Sequence, residues 1–324
     1  MLRLSDIAVL VLPLILGACR HIPPVAASPE LSPRQKLIGN VQEFGRSSGF
    51  EATGSFSHHS ADRQAFYRCY YTEKLRLPDS YDGLKLEDGT AQGCDIDERK
   101  YDVFFYPVEA IASPKVPVTG ALTEASLERV AVVVSHEEFH QQKAIRRLPV
   151  TVGEAAATLI GFQTAAGYAL AAYGRASSSY RNLSGEAERF LKKAEIINRF
   201  HASLATVYRQ AADGKIARAA ALSEKRRLFE QLQHACEAIT PAPSSFHPCP
   251  AAMNNAGLAF DHTYAKHYAL LYQLALNRGQ NLPSLVGILQ NIPETRRFSE
   301  QEAVAFLSKL IARPARPPAG IGKP

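Results

Sequence analysis

The chain has 324 residues, five cysteines, a formal net charge of +6 and a pI near 9.0. That length permits a large buried core, as one big domain or two small ones. The positive balance suits an acidic membrane surface or wall polymer. No basic stretch is interleaved with aromatics, so nucleic acid is not expected as a partner. The pairs Lys192–Lys193, Arg226–Arg227 and Arg296–Arg297 read as solvated helix faces.

In chain order, Arg3 supplies an early positive charge, Ile7 to Leu16 is a short apolar run, and Leu16–Gly17–Ala18–Cys19 follows. The run is shorter than the roughly 20 residues a membrane span needs. The pattern resembles the cleavage box of bacterial lipoprotein signal peptides. It predicts removal of residues 1–18, lipid on Cys19 and a flexible tether over 19–36, rich in Pro, Ala and Ser. Arg20, in place of aspartate, points to the outer membrane and a periplasm-facing body. In an exported chain the four remaining cysteines suggest disulfides, with three possible pairings. Cys69–Cys94 and Cys236–Cys249 are favoured because each closes a local loop rich in turn residues. Each bond is expected to add about 3 kcal/mol.

Residues 37–118 read as a small, disulfide-braced α+β segment. It holds a helix from Leu37 to Gly49, an aromatic stretch from Phe66 to Leu77, and a strand from Tyr101 to Tyr106 that Pro107 ends. Residues 119–312 read as helical. One helix starts after Thr123; others run over Val152 to Tyr173, Ser184 to Asp213, Ile216 to Cys236, Asn254 to Arg278, Leu282 to Asn291 and Ser299 to Ala312. Residues 313–324 form a Pro/Gly tail expected to be disordered. The fold class is therefore mostly α within an α+β arrangement.

The helix after Thr123 carries Val132–Val133–Val134–Ser135–His136–Glu137–Glu138–Phe139–His140. A spacing of four places both imidazoles on one helix face, where two nitrogens can reach one zinc ion at roughly 2.0–2.1 Å. Glu137, directed to the side, is placed to act as general base on a zinc-activated water. The β-branched run before His136 survives in a helix only when packing holds it. An apolar, buried helix ending in charged ligands is compensated by a metal.

A third ligand is needed, and Glu154 is the candidate. Thr151-x-x-Glu154 also spells a capping box, in which the glutamate reaches back to its helix start, and spacing alone leaves both readings open. If the motif helix continued to Arg147 it would run about 10 Å past His140. The ligand reading therefore predicts that the helix stops near Lys143 to Ile145 and that the chain returns through Pro149.

These stretches, with Glu154–Ala155–Ala156–Ala157–Thr158, Asn254–Asn255–Ala256, Thr263–Tyr264 and Lys225–Arg226–Arg227–Leu228–Phe229, resemble a family of bacterial zinc aminopeptidases that includes lipoproteins. The resemblance implies a zincin-like helical body. It implies His136, His140 and Glu154 as zinc ligands in the gluzincin arrangement, Glu137 as base, and hydrolysis of peptides. Gly153 departs from it, because the family has asparagine before the glutamate, and a supporting hydrogen bond is put in doubt.

Tyr264 is a candidate donor to the oxyanion or a packing residue. Asn255 is a candidate for substrate binding or a structural cap. Glu138 and Asp261 are candidates for a substrate amine or ordinary surface charges. His262 and His267, five apart, do not share a face. His201, His234 and His247 read as surface or satisfied, and His58–His59 as part of a polar loop. Two other functions fit: a non-catalytic envelope lipoprotein that binds a partner or wall polymer, and a zinc peptidase or amidase acting on peptidoglycan peptides.

Overall fold

A computed structural model describes residues 32–58, 64–242, 248–293 and 297–312. The expected signal peptide, Cys19, most of the expected tether, His59, His247, Arg296 and the expected tail lie outside the described residues.

Helix α1 (Pro33–Ser47) starts four residues before Leu37, inside the expected tether. Ser32 and Gln35 form a reciprocal capping box there and Pro33 occupies the first turn, which fixes the start. Strands β1 (Phe66–Glu73), β2 (Lys85–Asp88) and β3 (Tyr101–Val108) follow, in an antiparallel sheet of order β2-β1-β3. β3 runs through Pro107, which stands opposite Tyr67. Pro107 does not end the strand because β3 is a sheet edge, where a missing N–H costs no ladder bond. Cys69, opposite Glu87 and Phe105, is bonded to Cys94 and ties the sheet to the loop after β2.

Helices α2 (Gly120–Glu124) and α3 (Leu127–His140) come next, separated by Ser126, whose hydroxyl caps α3 at Arg129 N. Then come α4 (Val150–Tyr173), a short α5 (Ser178–Leu183), α6 (Glu186–Ala212) and α7 (Arg218–Glu237). Gly214, at φ +72°, turns the chain between α6 and α7. The second disulfide, Cys236–Cys249, closes the proline-rich loop after α7. α4 is long and apolar enough to cross a membrane, but 67% of its most apolar window is buried within the protein, as for a core helix.

The expected helix from Asn254 to Arg278 is two helices, α8 (Asn255–Ala265) and α9 (Tyr268–Asn277). The break at Lys266–His267 is held from outside, where Lys266 pairs with Asp79 and Glu300, and His267 with Glu300. Helices α10 (Leu282–Gln290) and α11 (Glu300–Ala312) complete the body. One hydrophobic core is shared by the N-terminal α+β segment and the helices. Its junction is Phe260 of α8, whose ring lies 4.8 Å from Phe104, 4.9 Å from Tyr106 and 5.4 Å from Tyr70.

Two charges read as solvated are in the interior. Lys193 is fully buried, and its Nζ donates to Asp261 Oδ1 at 2.7 Å and to the Pro248 carbonyl at 2.7 Å. Asp261, also buried, accepts the Ala251 N–H at 2.6 Å. The pair joins α6, α8 and the disulfide loop. Burial pushes the Lys193 ammonium down and the Asp261 carboxyl up, and each charge partly restores the other. Breaking a buried pair strands one uncompensated charge. Lys193→Met is therefore expected to lower unfolding free energy by about 3–5 kcal/mol in urea denaturation at neutral pH. A loss under about 1 kcal/mol would show that Asp261 does not depend on this lysine.

Candidate metal centre

Helix α3 stops at His140, three residues before the expected Lys143. The Gln141 N–H closes it on Glu138 and Phe139 carbonyls, and the chain reverses through a single 3-10 turn, Ile145–Arg147, before Pro149 opens α4. The reversal is braced by buried Gln142, which donates to the Glu138 and Glu51 carbonyls and accepts the Glu51 N–H at 2.8 Å. α4 then passes close against α3 at Gly161. A Cβ there would lie 3.2 Å from His136 Cβ and 3.2 Å from the Val132 carbonyl. The approach returns Glu154, on the first turns of α4, to the histidine face.

The three side chains converge. His136 Nε2 and His140 Nε2 are 3.0 Å apart, and Glu154 Oε2 lies 3.2 Å from the first and 2.9 Å from the second. Donors around a tetrahedral zinc at 2.0–2.1 Å are separated by about 3.3 Å. The set therefore fits one small divalent cation and leaves a coordination position open. The capping alternative for Glu154 is not realised: Thr151 sits inside α4 and its buried hydroxyl has no hydrogen-bond partner among the described residues.

Burial pulls the His140 imidazolium down, but the charge and hydrogen bond of Glu154, with the charge of Glu137, lift it to about 9. Burial pushes Glu154 up, and the charges and hydrogen bonds of His140 and His136 hold it well below the usual carboxylate range.

Around the donors, His136 Nδ1 is 3.5 Å from the Thr158 hydroxyl. Tyr81 donates its hydroxyl to Glu154 Oε1 at 2.6 Å. Glu137 accepts the Ala112 N–H at 3.2 Å. It lines, with His136, Tyr264, Tyr106, Arg68 and Glu109, a cavity of about 230 Å³. Tyr264 packs on Phe260 at 5.3 Å and lines the cavity, with its ring 6.2 Å from that of His136. Burial, then the charge of Glu154, push its phenol well above 10, so it keeps a proton to donate.

Other candidates lie elsewhere. Asn255 is fully buried; it donates to the Lys74 and Arg76 carbonyls and accepts from Tyr208, which makes it a pin for the loop after β1. Asn254 is the cap of α8. Glu138 is not a surface charge: it is buried and accepts from Gln42 at 2.8 Å and Thr53 at 2.6 Å, locking α1 and its following loop onto α3. Asp261 is spent on Lys193. His262 pairs not with His267 but with His201, ring against ring at 3.7 Å. His58 meets Ser57, and His234 meets Glu237, both on the surface. Tyr81 was missed, because a tyrosine in a polar turn 73 residues from Glu154 carries no local pattern.

This is a mostly helical α+β protein whose two central helices bring two imidazoles and a carboxylate to one point beside a cleft. A family model described as "Putative aminopeptidase" matches residues 98–304, more than half of the chain. The chain belongs to that family, and membership supports a peptidase-like function. No curated protein and no solved structure matches it.

The convergence predicts about one zinc per wild-type chain by elemental analysis after dialysis, and none above background in His140→Ala, since two remaining donors do not make a site. Equal metal content in both proteins would remove His140 from the ligands.

Proposed function

We propose that the protein is a zinc peptidase, held to a bacterial membrane by lipid on Cys19 and facing the periplasm, with the outer membrane as its destination. The observation that carries the reading is a three-donor set, His136, His140 and Glu154, with the Glu137 carboxylate beside it at the cavity wall. Nitrogen and carboxylate donors with an open position suit zinc better than the all-oxygen cations. Zinc held there would supply Lewis acidity, lowering the pKa of water and polarising a carbonyl.

The chain's own groups do the rest. Glu137 takes a proton from the attacking water and delivers it to the leaving nitrogen. The hydroxide equivalent ends on the acyl carbon, the C–N bond breaks, and protons balance. Tyr264 donates to the oxygen that gains charge on the attacked carbonyl. The Ala112 N–H holds one Glu137 oxygen, which fixes the direction of the other. An aminopeptidase also needs an anion for the substrate's free amine. Glu109 is the other carboxylate lining the cavity; Arg129 holds its Oε2 at 2.9 Å, which leaves Oε1 as the atom to meet an amine. Glu138 and Asp261 are engaged inside the fold and do not serve.

Glu137→Gln is expected to keep zinc and lose hydrolysis by about 100- to 10,000-fold, the span of a general base. Full activity in that variant would refute the role. Aminoacyl dyes, internally quenched peptides and muropeptides assayed together separate end-directed, internal and wall-directed cleavage; no hydrolysis of any by zinc-loaded wild type would favour a binding lipoprotein. Expressed in a bacterium, the wild-type chain is expected in the detergent phase with an acylated N-terminal cysteine by mass spectrometry, and Cys19→Ser in the aqueous phase. An unlipidated wild-type chain would refute the anchor.

A further inference from the structure

Glu154 is gripped from two sides. Oε2 faces the two imidazoles, and Oε1 accepts the Tyr81 hydroxyl at 2.6 Å. Gly153, next to it, offers no side chain. Tyr81 belongs to neither α3 nor α4; it arrives on the turn between β1 and β2.

That turn is held by α6 and α8. His201 donates Nε2–H to the Pro78 carbonyl at 3.1 Å, and His262 donates Nδ1–H to the Asp79 carbonyl at 2.8 Å. A carbonyl only accepts, so each contact fixes a tautomer. The two rings lie 3.7 Å apart and 4° from parallel, and they grip consecutive peptide units. The Tyr81 N–H then donates to Thr263 Oγ1 at 2.8 Å. Gly83 completes the turn, where a Cβ would meet Pro78 Cβ at 2.9 Å. The Tyr81 ring is boxed by Phe260 at 5.9 Å, Tyr70 at 6.2 Å and Tyr264 at 6.3 Å.

Asp79, His201 and His262 also lie close enough together to suggest a second metal site. Their geometry opposes it. An ion shared by two stacked, parallel imidazoles sits out of both ring planes, away from the lone pairs. The facing nitrogens are spent on carbonyls, and the Asp79 carboxylate is taken by Lys266.

We propose that Tyr81 is a positioning residue for the metal ligand Glu154, and that the stacked His201–His262 pair is the clamp that delivers it. The proposal rests on reading His136, His140 and Glu154 as a metal site. A hydrogen bond on Oε1 leaves Oε2 as the donor aimed at the ion and stops the carboxylate from rotating or chelating through both oxygens. Such partners of metal ligands are worth about 10- to 100-fold in metal affinity.

The test uses the full-length chain in detergent, stripped of metal and titrated with Zn²⁺ against a chromogenic chelator. Tyr81→Phe removes one hydroxyl and keeps the ring. It is expected to bind zinc about 10- to 100-fold more weakly than wild type, with an altered visible spectrum when loaded with Co²⁺. His262→Ala is expected to weaken zinc in the same direction, but to add little in the Tyr81→Phe background, because the clamp acts through that hydroxyl. Wild-type affinity and an unaltered Co²⁺ spectrum in Tyr81→Phe would overturn the positioning role. An equal further loss from His262→Ala in both backgrounds would overturn the clamp. Wild-type protein that binds no zinc, like His140→Ala, would instead overturn the metal site itself.

Discussion

The site depends on how closely α4 can approach α3. Two histidines on a helix supply half a coordination sphere, and the remaining protein donor comes from a different helix whose distance is set by packing. At Gly161 that distance is already at its limit, since even a methyl group would press on the His136 Cβ and the Val132 carbonyl. Ala157, one turn before Gly161 and on the same face of α4, is fully buried and adds only a methyl group there. Metal–donor distances tolerate only about 0.2 Å. A helix pair separated by larger side chains would carry the same three residues and no common point between them. The small residues of α4 are thus as much part of the centre as the ligands.

The same contact explains why the valine run before His136 belongs in a helix. Val130 to Val134 are all buried, and α3 is held by its neighbours rather than by helix propensity. Its polar end is then forced inward. Three of the polar groups there are answered: Glu154 by two imidazoles and Tyr81, Glu138 by Gln42 and Thr53, Gln142 by Glu51. The structure spends side chains from α1, the β1–β2 turn and α4 to make one buried, charged helix end tolerable.

Features governed by local rules were legible in the sequence. The glycine after α6, the prolines around 240–250 and the spacing of His136 and His140 act within a few residues, and the helices and the shared histidine face followed from them; the start of α3 did not, since Thr123 lies inside α2 and Ser126 is the cap. The early stop of α3 was legible too, by requiring Glu154 to reach, although the helix ends sooner than that argument asked. What local rules missed was decided across the fold. Lys193 and Asp261 look like surface charges until two helices bury them together. Lys266–His267 carries no glycine or proline, and its break is set by Asp79 and Glu300. Pro107 stops a strand only if the sheet continues beyond it, and β3 is an edge.

Glu137 and Glu138 show the limit of motif reading most directly. They are adjacent and identical, and on a helix they point about 100° apart. That rotation sends one to the cavity, where a single backbone N–H holds it, and the other into the seam with α1. In the seam, burial raises the Glu138 carboxyl despite hydrogen bonds from Thr53 and Gln42 that pull the other way. A group shut in with two donors and no opening toward the cavity cannot exchange a proton with substrate water. The division of labour between the two glutamates is therefore not a property of the motif. It comes from which face of α3 the rest of the chain leaves open, and that face is the one toward which Glu154 returns.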